Sequence, residues 1–511
     1  VVALGTLGPV TSSSASPPAA RRSPDRDSTG VGGLDDILHG GLPRHRVYLV
    51  RGMPGVGKTT LSLEFLRAGA AQGQRVLYVT LSETKDEISQ VADSHGWSLE
   101  GIDVYELSSN EQTLHLEDEN TLYATEDVDL KEVIRVLLAE VERVKPSRVV
   151  FDSLSEIRLL AESSMRYRRQ ILALKQHFSG RQCTVLLLDD RLADTTDAQV
   201  ESLAHGVIVL EQSASQYGPD RRRLRVSKLR GSDFRSGYHD FSVKTGGLVV
   251  FPRLIAAEHR SDLASEPLST GIAALDAALG GGIDAATCTL LIGPAGTGKS
   301  ALATQLAAAP AAAGATASLF LFEERFSTWR ARSSALGIPV DALLASGRLH
   351  VHQIDPAELA PDEFTHLVRC AVVKEKAGII VIDSIAGYFT AMPEARFLSL
   401  QMHELLSYLS ERGVASIVTM TQAGIVGANM QATVDLSYLA DTVVMLRHFE
   451  ARGKLLKALS VVKKRSGHHE NAIRELALSR NGITLGPPLT HVQGVFSGVP
   501  RLDIDEEHAS P

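Results

Sequence analysis

Two short loops in this chain carry the residues needed to grip a triphosphate. The first runs Gly52-Met53-Pro54-Gly55-Val56-Gly57-Lys58-Thr59, the second Gly293-Pro294-Ala295-Gly296-Thr297-Gly298-Lys299-Ser300. Both fit the phosphate-loop pattern G-x-x-x-x-G-K-[ST]. Their glycines let successive backbone N–H groups turn inward around an anion. Lys58 and Lys299 would reach the β- and γ-phosphates of ATP, and the hydroxyls of Thr59 and Ser300 would ligate Mg²⁺. Thr60 and Thr297 are further expected nucleotide contacts. A helix starting at each loop would aim its positive end at the same anion.

Three further features suit that chemistry. Val149-Val150-Phe151-Asp152-Ser153 and Val381-Ile382-Asp383-Ser384 place an acid at the tip of an apolar run, where Asp152 and Asp383 would hold Mg²⁺ through water. Phe322 is followed by Glu323-Glu324, two carboxylates able to orient and deprotonate an attacking water or hydroxyl. The matching stretch of the first half, Leu81-Ser82-Glu83-Thr84, keeps Glu83 and has Ser in place of the other. Lys228 and Arg230, like Lys463 and Arg465, stand two apart after a strand. On extended chain they point the same way. Far from their own loops, they suit the γ-phosphate of a neighbouring subunit, as arginine fingers do.

The elements that position these groups come in duplicate. Arg46–Val50 and Thr289–Ile292 read as buried strands before the loops, and Leu61, Phe65 and Ala68, or Leu302 and Leu306, as packed helices after them. Lys58 and Lys299 are 241 residues apart, and Asp152 and Asp383 are 231 apart. The expected domains are therefore 28–255 and 268–495, joined by a polar linker at 256–267. A disordered lead-in covers 1–27 and a tail 496–511. Further apolar runs (76–79, 185–188 and 207–210; 319–322, 379–382, 417–419 and 443–446) predict a mainly parallel sheet covered by helices in each half, an α/β fold.

Composition is that of an ordinary globular chain, 44% hydrophobic and 22% charged, and no apolar run approaches a membrane span. The apolar first ten residues lack a basic flank, against a secretory signal. Cys183, Cys288 and Cys370 are isolated, as buried small residues in a reducing cytosol would be. His403-Glu404 opens like a zinc-protease motif, but Ser407 stands where the second histidine belongs. A net charge of −8 disfavours a protein that coats DNA.

The chain resembles the KaiC family of tandem RecA-like P-loop ATPases and autokinases, and more closely its members outside the full cyanobacterial clock. The resemblance rests on Ser28-Thr29-Gly30 with Leu34-Asp35, repeated as Ser269-Thr270-Gly271 with Leu275-Asp276. It rests further on both loops, Glu323-Glu324, both Lys-x-Arg pairs, Ala472-Ile473-Arg474-Glu475 and Phe496-Ser497-Gly498-Val499-Pro500. It implies a homo-hexameric double ring with ATP at the subunit interfaces, slow hydrolysis in the first ring and autophosphorylation in the second. Glu323 would be the general base and Glu324 its partner. The family's phosphorylated Ser-Thr pair falls on Ser437-Tyr438, which leaves Ser437 as the candidate acceptor. With only a short acidic stretch after Pro500, the family's long activator-binding tail is expected to be missing. Two rivals stay open. One is a RecA/RadA-like DNA-repair ATPase, whose DNA loop would fall between Gly424 and Asp435. The other is an ATP-dependent scaffold that docks a sensor kinase or response regulator.

Overall fold

The computed structural model describes residues 25–107, 125–161, 163–190, 201–214, 218–259, 266–390, 395–422, 438–451, 453–490, 492–495 and 501–502. Ser437, the stretch from Gly424 to Asp435 and the motif at 496–500 lie outside the described residues.

Each half builds a nine-stranded sheet, and the strand order is the same in both. In the second the order is Leu349–Gln353, Ala317–Leu321, Ile379–Asp383, Ala415–Thr421, Cys288–Gly293, Thr442–Ala451, Lys454–Lys464, Arg474–Ser479, Gly482–Pro488. Pairing is parallel as far as Thr442–Ala451 and antiparallel beyond it. The parallel strands read as unbroken apolar runs because both faces are covered. Leu319, Leu321, Val381 and Ile417 enter one core cluster. Their chain neighbours Phe320, Ile380, Ile382 and Val418 enter the other. The antiparallel strands beyond it are half exposed, so the apolar runs read from the sequence stop at 443–446 and find none of these three.

Packing divides the chain into two compact units. One comprises the segments ending at Arg51, Thr59–Val207 and Ser227–Arg235; the other comprises Gly52–Lys58, Ile208–Val226 and the segments from Ser236 onward. In the first, order begins before the expected boundary at 28. Arg26–Asp27 pairs antiparallel with Leu42–Pro43, and Asp27 is buried against Arg148 and Thr184. A two-residue strand leaves no periodicity in the sequence to mark these residues as ordered.

In the second unit, Ala256–His259 of the expected linker is a 3₁₀ turn packed on helix Ala395–Glu411. The carboxylate of Glu404 accepts from the Ala256 N–H at 3.2 Å, a structural use of the residue that opened the false zinc motif. The described residues contain no cluster of three or more His, Cys, Asp or Glu placed to hold a metal ion and no helix long and apolar enough to cross a membrane. Cys183 and Cys288 are buried thiols, both pushed up to about 12 by desolvation. Cys370 departs from expectation: it is only half-buried, its sulfur 3.5 Å from His366.

The same unit holds a reciprocal carboxyl pair. The Asp240 N–H donates to Asp362 Oδ2 at 3.1 Å, and the Asp362 N–H donates to Asp240 Oδ2 at 3.0 Å. Both side chains are buried, and desolvation followed by the charge of Asp240 pushes Asp362 up to about 8. A folded-state carboxyl above its unfolded value binds a proton that the unfolded chain has released. Stability therefore falls as pH rises from the ordinary carboxylate range through about 8, by up to about 1.4 kcal/mol per pH unit. Asp362→Asn is expected to flatten that fall. Urea midpoints for both proteins at pH 6 and pH 8 check it, and parallel slopes would exclude the pair as the titrating group.

Candidate functional site

In the second half the phosphate loop leaves the central strand Cys288–Gly293 and enters helix Lys299–Ala312. Steric limits dictate its glycines. A Cβ at Gly293 would stand 2.3 Å from the Leu446 carbonyl oxygen, and Gly298 has φ +101° with Leu478 only 3.2 Å from its would-be Cβ. Lys299 is buried, and its Nζ donates to the carbonyls of Gly293 and Pro294 at 2.9 and 2.7 Å. Burial lowers its ammonium to about 8, opposed by the charges of Asp383 and Glu323. A desolvated cation hydrogen-bonded to backbone carbonyls is a ready partner for a phosphate.

Asp383 ends its strand as expected and accepts hydrogen bonds from Ser300 Oγ at 3.1 Å and Thr419 Oγ1 at 2.5 Å. Burial raises its carboxyl above the usual range, and these two hydroxyls pull it back. A buried carboxylate beside a loop hydroxyl is a donor set suited to Mg²⁺ with a triphosphate, so the residues fit the expected metal. Ser300 and Asp383 would hold it, and bound there it would neutralise phosphate charge.

Glu323 and Glu324 follow strand Ala317–Leu321 and go to different partners. Ser384 Oγ donates to Glu323 Oε1 at 2.5 Å. Glu324 is held by the guanidinium of Arg332. With Lys299, Ser300 and Asp383, both glutamates line a cavity of about 670 Å³. That is the size of a small-ligand site. Ala335 and Leu336 add an apolar wall, and Lys457 a further cation. Thr297 does not line it: its hydroxyl donates to the Pro294 carbonyl at 2.9 Å and staples the loop.

The first half repeats much of this. Lys58 Nζ donates to the carbonyls of Gly52 and Met53 at 3.0 and 3.1 Å. Thr59 Oγ1 donates to Asp152 Oδ2 at 3.0 Å, with the Tyr78 hydroxyl on the same oxygen at 2.5 Å. Gly55 and Gly57 take positive φ. Thr60 faces His95, 3.4 Å from its Nε2. Glu83 sits in a turn closed by Thr80, whose hydroxyl accepts from the Glu83 N–H and donates to its carbonyl.

The cation pairs differ slightly from expectation. Lys228 and Lys463 are the penultimate residues of their strands rather than following them, and only Arg230 and Arg465 lie beyond. Lys228 and Arg230 share the Ser202 carbonyl, and Lys228 also donates to that of Glu201. Lys463 donates to the Ala440 carbonyl and Arg465 to that of Tyr438, with Asp441 beside it. Lys463 and Arg465 do not line the cavity beside Lys299.

A family model described as the KaiC ATPase matches residues 28–255 and again 268–490. The chain belongs to the KaiC family. The circadian clock oscillator protein KaiC of Prochlorococcus marinus (strain MIT 9313) is 26% identical over 489 residues, which cover 94% of this chain and 96% of that protein. The protein of the same name from Picosynechococcus sp. is 27% identical over 494 residues, 93% of each. Circadian clock oscillator protein KaiC 1 of Synechocystis sp. is 26% identical over 500 residues, 96% of this chain and 95% of that one. This KaiC-family chain is thus an ATP-binding protein with two tandem ATPase domains.

Sequence reasoning missed Ser384, Thr419, Tyr78 and Arg332. Ser384 had a signal, since it repeats as Ser153 after the strand-end Asp. The others belong to no motif and meet the site only through the fold.

Proposed function

We propose that the second domain hydrolyses ATP with Glu323 as general base, and that it also passes the γ-phosphoryl group to Ser437 within a homo-hexamer. The observation that carries this reading is Glu323, held by Ser384 in one cavity with a buried Lys299 and Asp383. Glu323 takes the proton of a water or serine hydroxyl as its oxygen bonds to the γ-phosphorus. The bond from that phosphorus to the bridging oxygen breaks, and ADP leaves. Lys299 holds the phosphates throughout. Ser82 replaces the corresponding glutamate in the first domain, which fits slower turnover there. Incubation with γ-labelled ATP and Mg²⁺, followed by phosphosite mapping, tests the transfer. Label absent from the whole second half would leave an ATPase without kinase activity.

Lys463 and Arg465 complete the pocket of an adjoining subunit in this reading. Lys463→Ala with Arg465→Ala is expected to abolish second-domain turnover, as is Lys299→Ala. Mixed rings of the two variants should regain activity, because some interfaces then join an intact loop to intact cations. No recovery in mixed rings would place the cations outside the neighbour's site.

A further inference from the structure

No sequence motif includes Arg332, yet it lines the second cavity with Lys299, Glu324 and Asp383. It projects from helix Phe326–Ala335 and grips Glu324 with two parallel bonds, Nε to Oε1 at 3.1 Å and Nη2 to Oε2 at 2.7 Å. Such a fork fixes the plane of a carboxylate as well as neutralising it. Arg332 Nη1 is buried with no acceptor among the described residues, so Glu324 is the group that anchors this guanidinium. Glu323, one residue away, takes the Ser384 hydroxyl instead.

The duplication supplies an internal control. Helix Lys85–Ser94 of the first half matches Phe326–Ala335, with starts 241 residues apart. At that offset Glu323 corresponds to Ser82, Glu324 to Glu83 and Arg332 to Val91. The half without the first glutamate also lacks the arginine. A lone carboxylate needs no clamp to separate it from a twin.

We propose that Arg332 is a positioning residue of the second site: it holds Glu324 aside so that Glu323 alone meets the attacking group. A Glu324 released from the fork would compete for the Ser384 hydroxyl and the attacking water. It would also bring a second negative charge toward Glu323 and the triphosphate. The inference rests on the base role given to Glu323 above.

The test measures steady-state hydrolysis in the full chain carrying Lys58→Ala, which silences the first site. Arg332→Met should lower kcat roughly ten- to hundredfold, the cost of a mispositioned group, with KM little changed. Arg332→Lys should recover part of the loss. Glu324→Gln added to Arg332→Met should bring the rate back toward that of Glu324→Gln alone, because the charge to be restrained is gone. Higher KM at unchanged kcat, losses that multiply in the double variant, or no loss at all overturns the proposal. Retention of a fluorescent ATP analogue reports a folded pocket. If Arg332→Met fails to retain it, Arg332→Gln carries the same test. Glu323→Gln in the same background separates the two claims. Full activity there removes the base itself, whereas an inactive Glu323→Gln beside an unimpaired Arg332→Met removes only the role of Arg332.

Discussion

Glu323→Gln is expected to cut second-domain ATP hydrolysis by ~10²–10⁴-fold, the usual contribution of a positioned general base, while nucleotide binding persists. The substitution keeps the size of the side chain and its hydrogen bond with Ser384. What it removes is the capacity to accept a proton. Lys299 and the loop glycines, the proposed phosphate ligands, are untouched. Hydrolysis is measured in the Lys58→Ala background, and affinity by equilibrium titration with a fluorescent ATP analogue. Turnover within a few-fold of the parent would exclude Glu323 as the base. Loss of binding would instead assign it to nucleotide capture.

Arg148→Met is expected to destabilise the first unit by about 2–5 kcal/mol, from buried hydrogen bonds lost at roughly 1–3 kcal/mol each together with lost packing. The guanidinium is fully buried, and it donates to Gln74 Oε1 at 2.6 Å and to the carbonyls of Ser28 and Phe65 at 2.7 and 2.8 Å. It also faces Asp27 at 3.5 Å and lies over the Phe65 ring. Methionine fills part of the volume but donates to none of these three oxygens. Asp27 retains Arg44 and Thr184, so the carboxylate itself stays paired. Urea denaturation of the full chain, followed by a probe in the first half, measures the loss. A shift below about 1 kcal/mol would show that water or repacking replaces the guanidinium.

The buried strands were legible because a parallel sheet covered on both faces needs continuous apolar runs, and Val149–Phe151 or Ile379–Ile382 supply them. The half-exposed ribbon Arg474–Ser479 and Gly482–Pro488 was not, since its burial alternates irregularly. Arg26–Asp27 was missed for another reason. Its order comes from a pairing with Leu42–Pro43 and from the buried Asp27, neither of which marks the local chain.

The amino-acid sequence by itself determined the two phosphate-loop motifs. Eight contiguous residues with fixed backbone demands suffice, and the copy 241 residues on removes chance as an explanation. Asp152 and Asp383 were equally plain, because a strand-end acid is a local pattern. Only the tertiary structure decided which hydroxyl each carboxylate meets. Ser384 reaches Glu323 across 61 residues and Thr419 reaches Asp383 across 36, contacts set by the register of neighbouring parallel strands. Arg332 meets Glu324 because the helix after that strand folds back beside the cavity. Local spacing encodes a loop; the pairing of charges depends on how crossover connections lay distant strands and helices side by side.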